Sequence, residues 1–190
     1  MNIPPGWKPT KDEIAGAEGR TIEDVIAPHL DVLFCGINPS LYSGATGDHF
    51  ARPGNRFWPV LHASGFTDRL LHPSEKAELL AHGLGVTNIV MRATVGAADL
   101  TDAELRSGVR NLEAKVRKYE PRYLALLGVG AFRTAFELPK AKLGPQDLRL
   151  AATKIWVLPN PSGLNAHYQL PALTEMFAEL RLAVRAAGDG

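Results

Sequence analysis

Four short apolar segments divide the chain, and none of them alternates strictly between apolar and polar positions. They run over Val32 to Cys35, Val86 to Val90, Tyr123 to Leu127 and Ile155 to Leu158. A strand that is apolar at every position is typical of a parallel sheet covered on both faces. The segments therefore predict a central, mainly parallel four-stranded sheet.

Helical patterns lie between these segments and after the last one. They predict helices over Pro73 to Ala81, Thr101 to Tyr119 and about Pro171 to Ala187. The second helix opens with a capping box, in which Thr101 and Glu104 satisfy free backbone N–H groups. Strands that alternate with helices predict the α/β class, with helix layers on both sides of the sheet.

The length of 190 residues and the apolar content of 45% predict a single domain. Residues 1–20 are polar and rich in Pro and Gly, so we expect an N-terminal extension there and the folded domain over residues 21–190. The first 20 residues contain three prolines and no apolar core segment, which does not fit a signal peptide. No apolar run approaches the roughly 20 residues of a membrane span. We expect a cytoplasmic protein without a membrane role.

Composition excludes several kinds of site. The formal net charge of +1 gives no large basic field of the kind that marks many nucleic-acid-binding proteins. The single cysteine, Cys35, lies in an apolar run and is predicted to be a buried structural thiol. The six histidines have no metal-ligand spacing, so we predict no metal.

Ligands of open parallel sheets bind beyond the carboxyl ends of the strands. The segments there are Gly36-Ile37-Asn38-Pro39-Ser40, Met91-Arg92-Ala93-Thr94, Gly128-Val129-Gly130 and Pro159-Asn160-Pro161-Ser162-Gly163-Leu164-Asn165. Two of them hold an Asn-Pro pair followed by Ser. One such pair is ordinary turn chemistry. Two pairs that converge on one crevice predict a functional site.

Other motifs near these strand ends are weaker. Gly128-Val129-Gly130 resembles the start of a dinucleotide-binding turn, but Arg133 replaces the third glycine, so a tight strand-to-helix turn is the better interpretation. The chain has no phosphate loop and no nucleophile elbow. The long loop from Leu41 to Asn55 holds Phe50, which either packs back on the core or stacks on a flat base.

Three stretches resemble motifs of the mismatch-specific uracil-DNA glycosylases, which share ancestry with the thymine-DNA glycosylases. They are Gly36-Ile37-Asn38-Pro39, Phe50-Ala51-Arg52-Pro53-Gly54-Asn55-Arg56-Phe57-Trp58 and Leu158-Pro159-Asn160-Pro161-Ser162-Gly163-Leu164. The resemblance runs from about residue 22 to 185. It implies a three-layer α/β/α fold of the uracil-DNA glycosylase type and a monomeric, cofactor-free enzyme of base-excision repair.

The resemblance also implies roles for individual residues. Asn38 is then catalytic, and because a neutral amide cannot take a proton, its expected task is to orient a water molecule. Phe50 stacks on the flipped base, and Leu164 wedges into the vacated stack. Backbone N–H groups near Ile37 and Phe50 are candidates to stabilise the departing base. The expected base-binding residues are Ile37, Phe50, Ala93 and Asn160, and the expected DNA-binding residues are Ser162, Gly163, Leu164 and Asn165.

The chain departs from the family at two places. Ser40 stands where the family often has Gly, and Asn165-Ala166 replaces a Ser-Arg pair whose arginine grips the opposite strand. Selectivity for an opposing guanine therefore stays open, with Asn165 or His167 as candidate replacements. Arg52, Arg92 and Lys154 are candidates to contact DNA phosphates. The alternative is that they are ordinary charged surface residues.

The implied activity is hydrolysis of the N-glycosidic bond of uracil, with ethenocytosine and thymine as further candidates, in duplex DNA with a G·U or G·T mispair. No lysine lies in the crevice motifs, so a Schiff-base lyase step is not expected. Three alternatives remain. One is a glycosylase of broader or different base preference, and another is a module that binds mispairs without cutting. The third is a nucleotide-metabolising enzyme, for which a phosphate cradle is missing. If the Cβ of Ala93 faces the anomeric carbon, Ala93→Asp should raise the rate by adding a general base.

Overall fold

A five-stranded sheet lies at the centre of the computed structural model, which describes residues 8–188. The strand order is β2-β1-β3-β5-β4. The strands are β1 (Val32–Gly36), β2 (Leu84–Asn88), β3 (Tyr123–Leu127), β4 (Gly144–Leu150) and β5 (Thr153–Leu158). The first four in this order are parallel, whereas β4 is antiparallel to β5. The predicted α/β class and mainly parallel sheet are confirmed, but the predicted number of strands is one too low.

The strand absent from the prediction, β4, lies at the edge of the sheet. Most of its residues are exposed, Pro145 is near its start, and its pairing with β5 shifts register between Pro145 and Arg149. Proline and irregular pairing are typical of edge strands, and they remove the apolar pattern of a central strand.

The second strand begins and ends two residues earlier than predicted, at Leu84 and Asn88. Gly83, in the left-handed region with φ of 68°, ends the preceding segment and lets the strand begin at once. A Cβ at Gly85 would lie 2.5 Å from Leu30 Cδ1 and 2.6 Å from the Val25 carbonyl oxygen. The second position of the strand must therefore lack a side chain, which weakens the apolar pattern of the strand.

Helices cover both faces of the sheet. They are α1 (Lys11–Ala15), α2 (Leu41–Thr46), α3 (Phe57–Ala63), α4 (Asp102–Tyr119), α5 (Val129–Ala135) and α6 (Leu170–Ala186). The predictions for α4 and α6 are confirmed to within one residue, and α4 has its capping box. The predicted helix at residues 73–81 is instead a 3₁₀ segment, Pro73–His82, with non-helical dihedrals at Glu75. The predicted loop from Leu41 contains α2.

The side chains of β1 alternate between two apolar cores. Phe34 packs with residues of α3 and α6, among them Phe57 and Phe177. Cys35 belongs to the opposite core with residues of α4 and α5. Its thiol is fully buried, as predicted, and burial raises the pKa of that thiol. Burial on both faces gives the predicted three layers.

The described part of the N-terminal segment packs against α2 and the segment that follows β2. Ala17 is fully buried, the Gly19 N–H donates to the Ala93 carbonyl over 2.9 Å, and the Ala93 N–H donates to the Arg20 carbonyl over 2.8 Å. Residues 1–7 and 189–190 of the two predicted segments lie outside the described residues, and the division at residue 20 stays a prediction. Over residues 8–188, no helix is both long and apolar enough to cross a membrane.

Candidate active site

A crevice of about 210 Å³ opens beyond the carboxyl ends of the parallel strands. The chain proceeds from β1 to β2 on one side and later to β3 on the other, so the strand order reverses next to β1. Such a reversal is where open α/β sheets bind ligands. Pockets for drug-sized ligands are roughly 300–1,000 Å³. This crevice therefore suits one small ring.

Asn38 lies on the crevice wall with its amide orientation fixed by acceptors. Its Nδ2 donates to the Arg92 carbonyl over 3.1 Å, to Thr94 Oγ1 over 2.7 Å and to the Pro39 carbonyl over 3.2 Å. Because carbonyl oxygens only accept, this end of the side chain must be the NH₂ group. The Oδ1 atom has no protein donor among the described residues and is available to a ligand or a water molecule.

Phe50 forms a second wall and lies on a strained backbone, with φ of 53°. The turn is held by the Ala51 N–H, which donates to Ser43 Oγ over 3.2 Å, and by Trp58 Nε1, which donates to the His49 carbonyl over 3.0 Å. The Phe50 ring stacks on Phe57 with centroids 4.1 Å apart. A left-handed non-glycine residue costs about 1–3 kcal/mol, and such strain is typical of functional sites.

Asn88, at the end of β2, lines the crevice and was absent from the sequence-based assignment. It is 4% exposed. A Cβ at Gly36 would lie 2.5 Å from Asn88 Oδ1 and 3.1 Å from Phe50 Cζ, so the amide and the ring edge meet above Gly36. The predicted strand continued to Val90 and placed Asn88 in its interior. An amide within an otherwise apolar strand is the signal that could have identified it.

The loop after β5 carries three of the predicted residues to the mouth of the crevice. The Ser162 N–H donates to Asn160 Oδ1 over 3.0 Å, and the Leu164 N–H donates to Ser162 Oγ over 3.3 Å. All three residues line the crevice. The Leu164 side chain is 75% exposed, so it does not pack into the protein.

Arg56, a second residue that the sequence did not reveal, anchors this loop. Its Nη1 donates to the carbonyls of Ser162, Asn165 and Tyr168 over 2.9, 3.1 and 3.3 Å. Gly163 fits tightly against the neighbouring turn, where an added Cβ would lie 2.5 Å from the Gly54 carbonyl oxygen. The loop is therefore preorganised and holds the Leu164 side chain toward solvent.

Ala93 is not where the sequence placed it. The residue is fully buried and is absent from the crevice lining, whereas its neighbour Thr94 is present there. A Cβ added at Gly44 would lie 2.8 Å from the Ala93 Cβ, so this methyl group faces α2. The expectation that Ala93 contacts the base is corrected accordingly. A carboxylate at this position has no path to the crevice.

The candidate DNA contacts separate into engaged and exposed groups. Two hydrogen bonds of 2.6 and 3.1 Å join Arg92 to Glu104 and hold the pKa of that carboxyl at about 2. Lys154 lies at the opposite, amino-terminal end of β5, next to Tyr123. Asn165 Nδ2 donates to the Asn160 carbonyl over 3.0 Å. Arg52 is exposed at the crevice and remains a candidate for phosphate.

The described chain offers no ready metal site, since no group of three or more His, Cys, Asp or Glu residues lies together within residues 8–188. The groups that line the crevice are amides, hydroxyls, an imidazole, the Arg52 guanidinium and apolar side chains. They can bind a polar ring, order a water molecule and stack on an aromatic face.

The chain matches a known protein family and a known fold. The family model of the uracil DNA glycosylase superfamily matches residues 23–183. A solution NMR structure from Methanosarcina acetivorans, of a protein assigned provisionally as a uracil DNA glycosylase, has a TM-score of 0.57 to this chain at 23% identity. The match covers 86% of this chain and 98% of that one. At this identity the likeness shows a common fold.

Proposed function

Because the chain belongs to the uracil DNA glycosylase superfamily, we propose that it is a monofunctional, mismatch-specific uracil-DNA glycosylase. It flips uracil out of a mispaired duplex and hydrolyses the bond between base and sugar, leaving an abasic site. Ethenocytosine and thymine are the further candidate bases. The enzyme acts as a monomer, without a cofactor.

The observation that carries the proposal is the set of three groups around one small crevice. Asn38 offers a free amide oxygen, Phe50 offers an aromatic ring, and Asn88 offers an amide at the floor. Leu164 is exposed at the mouth. A flipped base needs a stacking surface, a polar contact to its edge, and an apolar side chain to fill the gap it leaves. Hydrolysis also needs a group that orients water, which is the part proposed for Asn38.

The proposed chemistry follows from what an amide can do. Asn38 Oδ1 accepts a hydrogen bond from a water molecule and holds its oxygen toward C1′ of the sugar. The C1′–N1 bond breaks with its electron pair on the base, positive charge develops on the sugar, and the water oxygen bonds to C1′. A solvent proton neutralises the base, and the water releases its proton to solvent. Without a carboxylate to take that proton, the enzyme should be slow.

Charge on the departing base needs donors close to its carbonyl oxygens. The Phe50 N–H has no backbone acceptor in the described chain and is one candidate donor. The Asn88 amide is the second. Once the base fills the crevice and displaces most of the solvent, such bonds gain strength because the local dielectric constant falls. We assign base stabilisation to these two groups.

DNA is the partner that the family implies, and the mouth of the crevice is suited to a duplex. Leu164 lies on a loop anchored by Arg56, so little ordering is needed when the side chain inserts. Extrusion costs least at a mispair, which favours G·U and G·T before any base contact forms. Since the Asn165 amide is engaged within the loop, the exposed His167 is the better candidate to replace the opposite-strand arginine of the family.

The rival from another class is a module that binds mispairs without cutting them, with Phe50 and Leu164 in the same places. Single-lesion duplexes with uracil opposite G, uracil opposite A, thymine opposite G and ethenocytosine opposite G distinguish the two. Free base is measured by mass spectrometry and abasic sites by alkaline cleavage. Release of uracil with one abasic site per base supports the glycosylase. Tight binding of all four duplexes without any free base supports the binding module.

A further inference from the structure

His49 is buried directly behind the crevice floor, with 1% of its surface exposed. Its Nε2 lies 2.9 Å from the Glu23 carbonyl oxygen. A carbonyl oxygen only accepts hydrogen bonds, so Nε2 carries a proton. Burial lowers the pKa of His49, which favours the neutral ring. In the neutral ring with a proton on Nε2, Nδ1 carries a lone pair and can only accept.

Within residues 8–188, the one hydrogen-bond partner of that lone pair is the Asn88 amide, whose Nδ2 lies 3.4 Å from His49 Nδ1. Only the NH₂ end of the amide can donate to it. The opposite orientation would place Oδ1 against a lone pair and lose the hydrogen bond. The ring of His49 thus decides which way the Asn88 amide faces.

We propose that His49 is a positioning residue that locks the Asn88 amide in the orientation that accepts uracil and rejects cytosine. This inference rests on the proposed function. The locked amide presents Oδ1 and its second N–H to the crevice. Uracil matches this pair, because its O4 accepts and its N3–H donates. Cytosine presents the reverse pattern, with an amino group at C4 and an acceptor at N3. A site with the wrong polar pattern leaves buried groups unpaired and discriminates strongly.

The backbone around His49 is held as firmly as its ring. Trp58 Nε1 donates to the His49 carbonyl over 3.0 Å, and the Asp48 carboxylate pairs with Lys76 over 2.9 Å. The Glu23 carbonyl comes from the segment whose Val25 pairs with Val86 of β2. The ring therefore bridges two fixed segments and has little freedom to turn.

The test is a double-mutant cycle on a uracil-containing and a cytosine-containing mispair. His49→Leu is combined with Asn88→Ala, and His49→Gln is a second variant whose amide can still donate to the Glu23 carbonyl. The matched control is His62→Leu, because His62 also contacts a backbone carbonyl, that of Thr67 over 3.3 Å, but lies outside the crevice lining.

We expect His49→Leu to lower the preference for uracil over cytosine, as a ratio of kcat/KM, by about tenfold or more. In the Asn88→Ala background the same substitution should change kcat/KM less than about twofold, because His49 acts through Asn88. An unchanged preference, or an equal loss in both backgrounds, contradicts the inference. The control variant should behave like the parent.

Nitrogen-15 NMR of the histidine rings, without DNA, tests the inference separately from catalysis. We expect the His49 ring to be neutral at pH 7 with its proton on Nε2, and its signal to vanish in His49→Leu and His49→Gln. A proton on Nδ1 contradicts the inference whether or not the protein cleaves DNA. A parent protein that releases no uracil from any duplex contradicts the proposed function instead.

Discussion

Replacing Leu164 by Ala should impair base flipping without affecting the fold. Because the side chain is 75% exposed, its truncation leaves no cavity in the free protein. Burial of a CH₂ group gains about 0.8 kcal/mol, so the three carbon groups removed are worth about 2.4 kcal/mol when fully transferred from water. Three-quarters of that, about 1.8 kcal/mol, is available on insertion into the base stack, which corresponds to a rate loss of about 20-fold.

The loss should depend on how firmly the target base is paired. We expect the full effect for uracil opposite A, a smaller effect for uracil opposite G, and almost none in single-stranded DNA, where no stack needs filling. Single-turnover rates on the three substrates provide the measurement. The matched control is Leu182→Ala, because Leu182 is 60% exposed on α6 and is absent from the crevice lining.

Two outcomes would refute this reasoning. Equal losses on all three substrates would mean that Leu164 supports the crevice in some general way. A loss no larger than that of Leu182→Ala would mean that the exposed side chain does not enter DNA. Melting temperatures of both variants should equal that of the parent.

Three other predictions concern Ala93, Gly163 and His49. Ala93→Asp should lower the melting temperature and should not raise the glycosylase rate. The reason is that an unpaired carboxylate would be buried against Gly44 at a cost of several kcal/mol. A faster and equally stable variant would contradict this prediction. Gly163→Ala should reduce cleavage of duplex more than of single-stranded substrate, since its Cβ would push the loop away from Gly54; identical kinetics to the parent would argue against a preformed loop. Burial lowers the pKa of His49, so the unfolded chain binds more protons and the free energy of unfolding should fall as the pH drops below about 6.5. The free energy of unfolding, measured by chemical denaturation between pH 7.5 and 5, should depend less on pH in His49→Gln than in the parent. The same pH dependence in parent and variant would refute this prediction.

The sequence predicted the sheet well where burial is uniform. Residues such as Phe34 and Leu124 lie on strands that are covered on both faces, so every position is apolar and the pattern is unmistakable. The edge strand β4 faces solvent and carries Pro145, and so it has no such pattern. The segment Pro73–His82 was predicted to be an α-helix and is a 3₁₀ helix. The residues that favour the two kinds of helix are nearly the same, so the amino-acid pattern could not distinguish them.

The candidate site was predictable where it follows from strand ends. Asn38 and Asn160 come directly after parallel strands, and topology brings them to one crevice. Asn88 was missed because β2 ends two residues earlier than predicted, at Asn88 itself. Ala93 was misplaced because its methyl group packs against Gly44 of α2, a contact that no local pattern encodes. The role of Arg56 depends on carbonyls more than 100 positions away, and no local pattern encodes such a contact.

The central claim is that Asn38 orients the water that replaces the base. Its most direct test is single-turnover cleavage of a duplex with one G·U mispair, with parent protein and Asn38→Ala compared at equal occupancy of DNA. The account predicts that the parent releases free uracil with one abasic site per base. It predicts a loss of about 10²-fold or more in that rate for Asn38→Ala, with DNA binding nearly unchanged. An Asn38→Ala variant that cleaves within about threefold of the parent, or a parent that releases no uracil, would contradict the account.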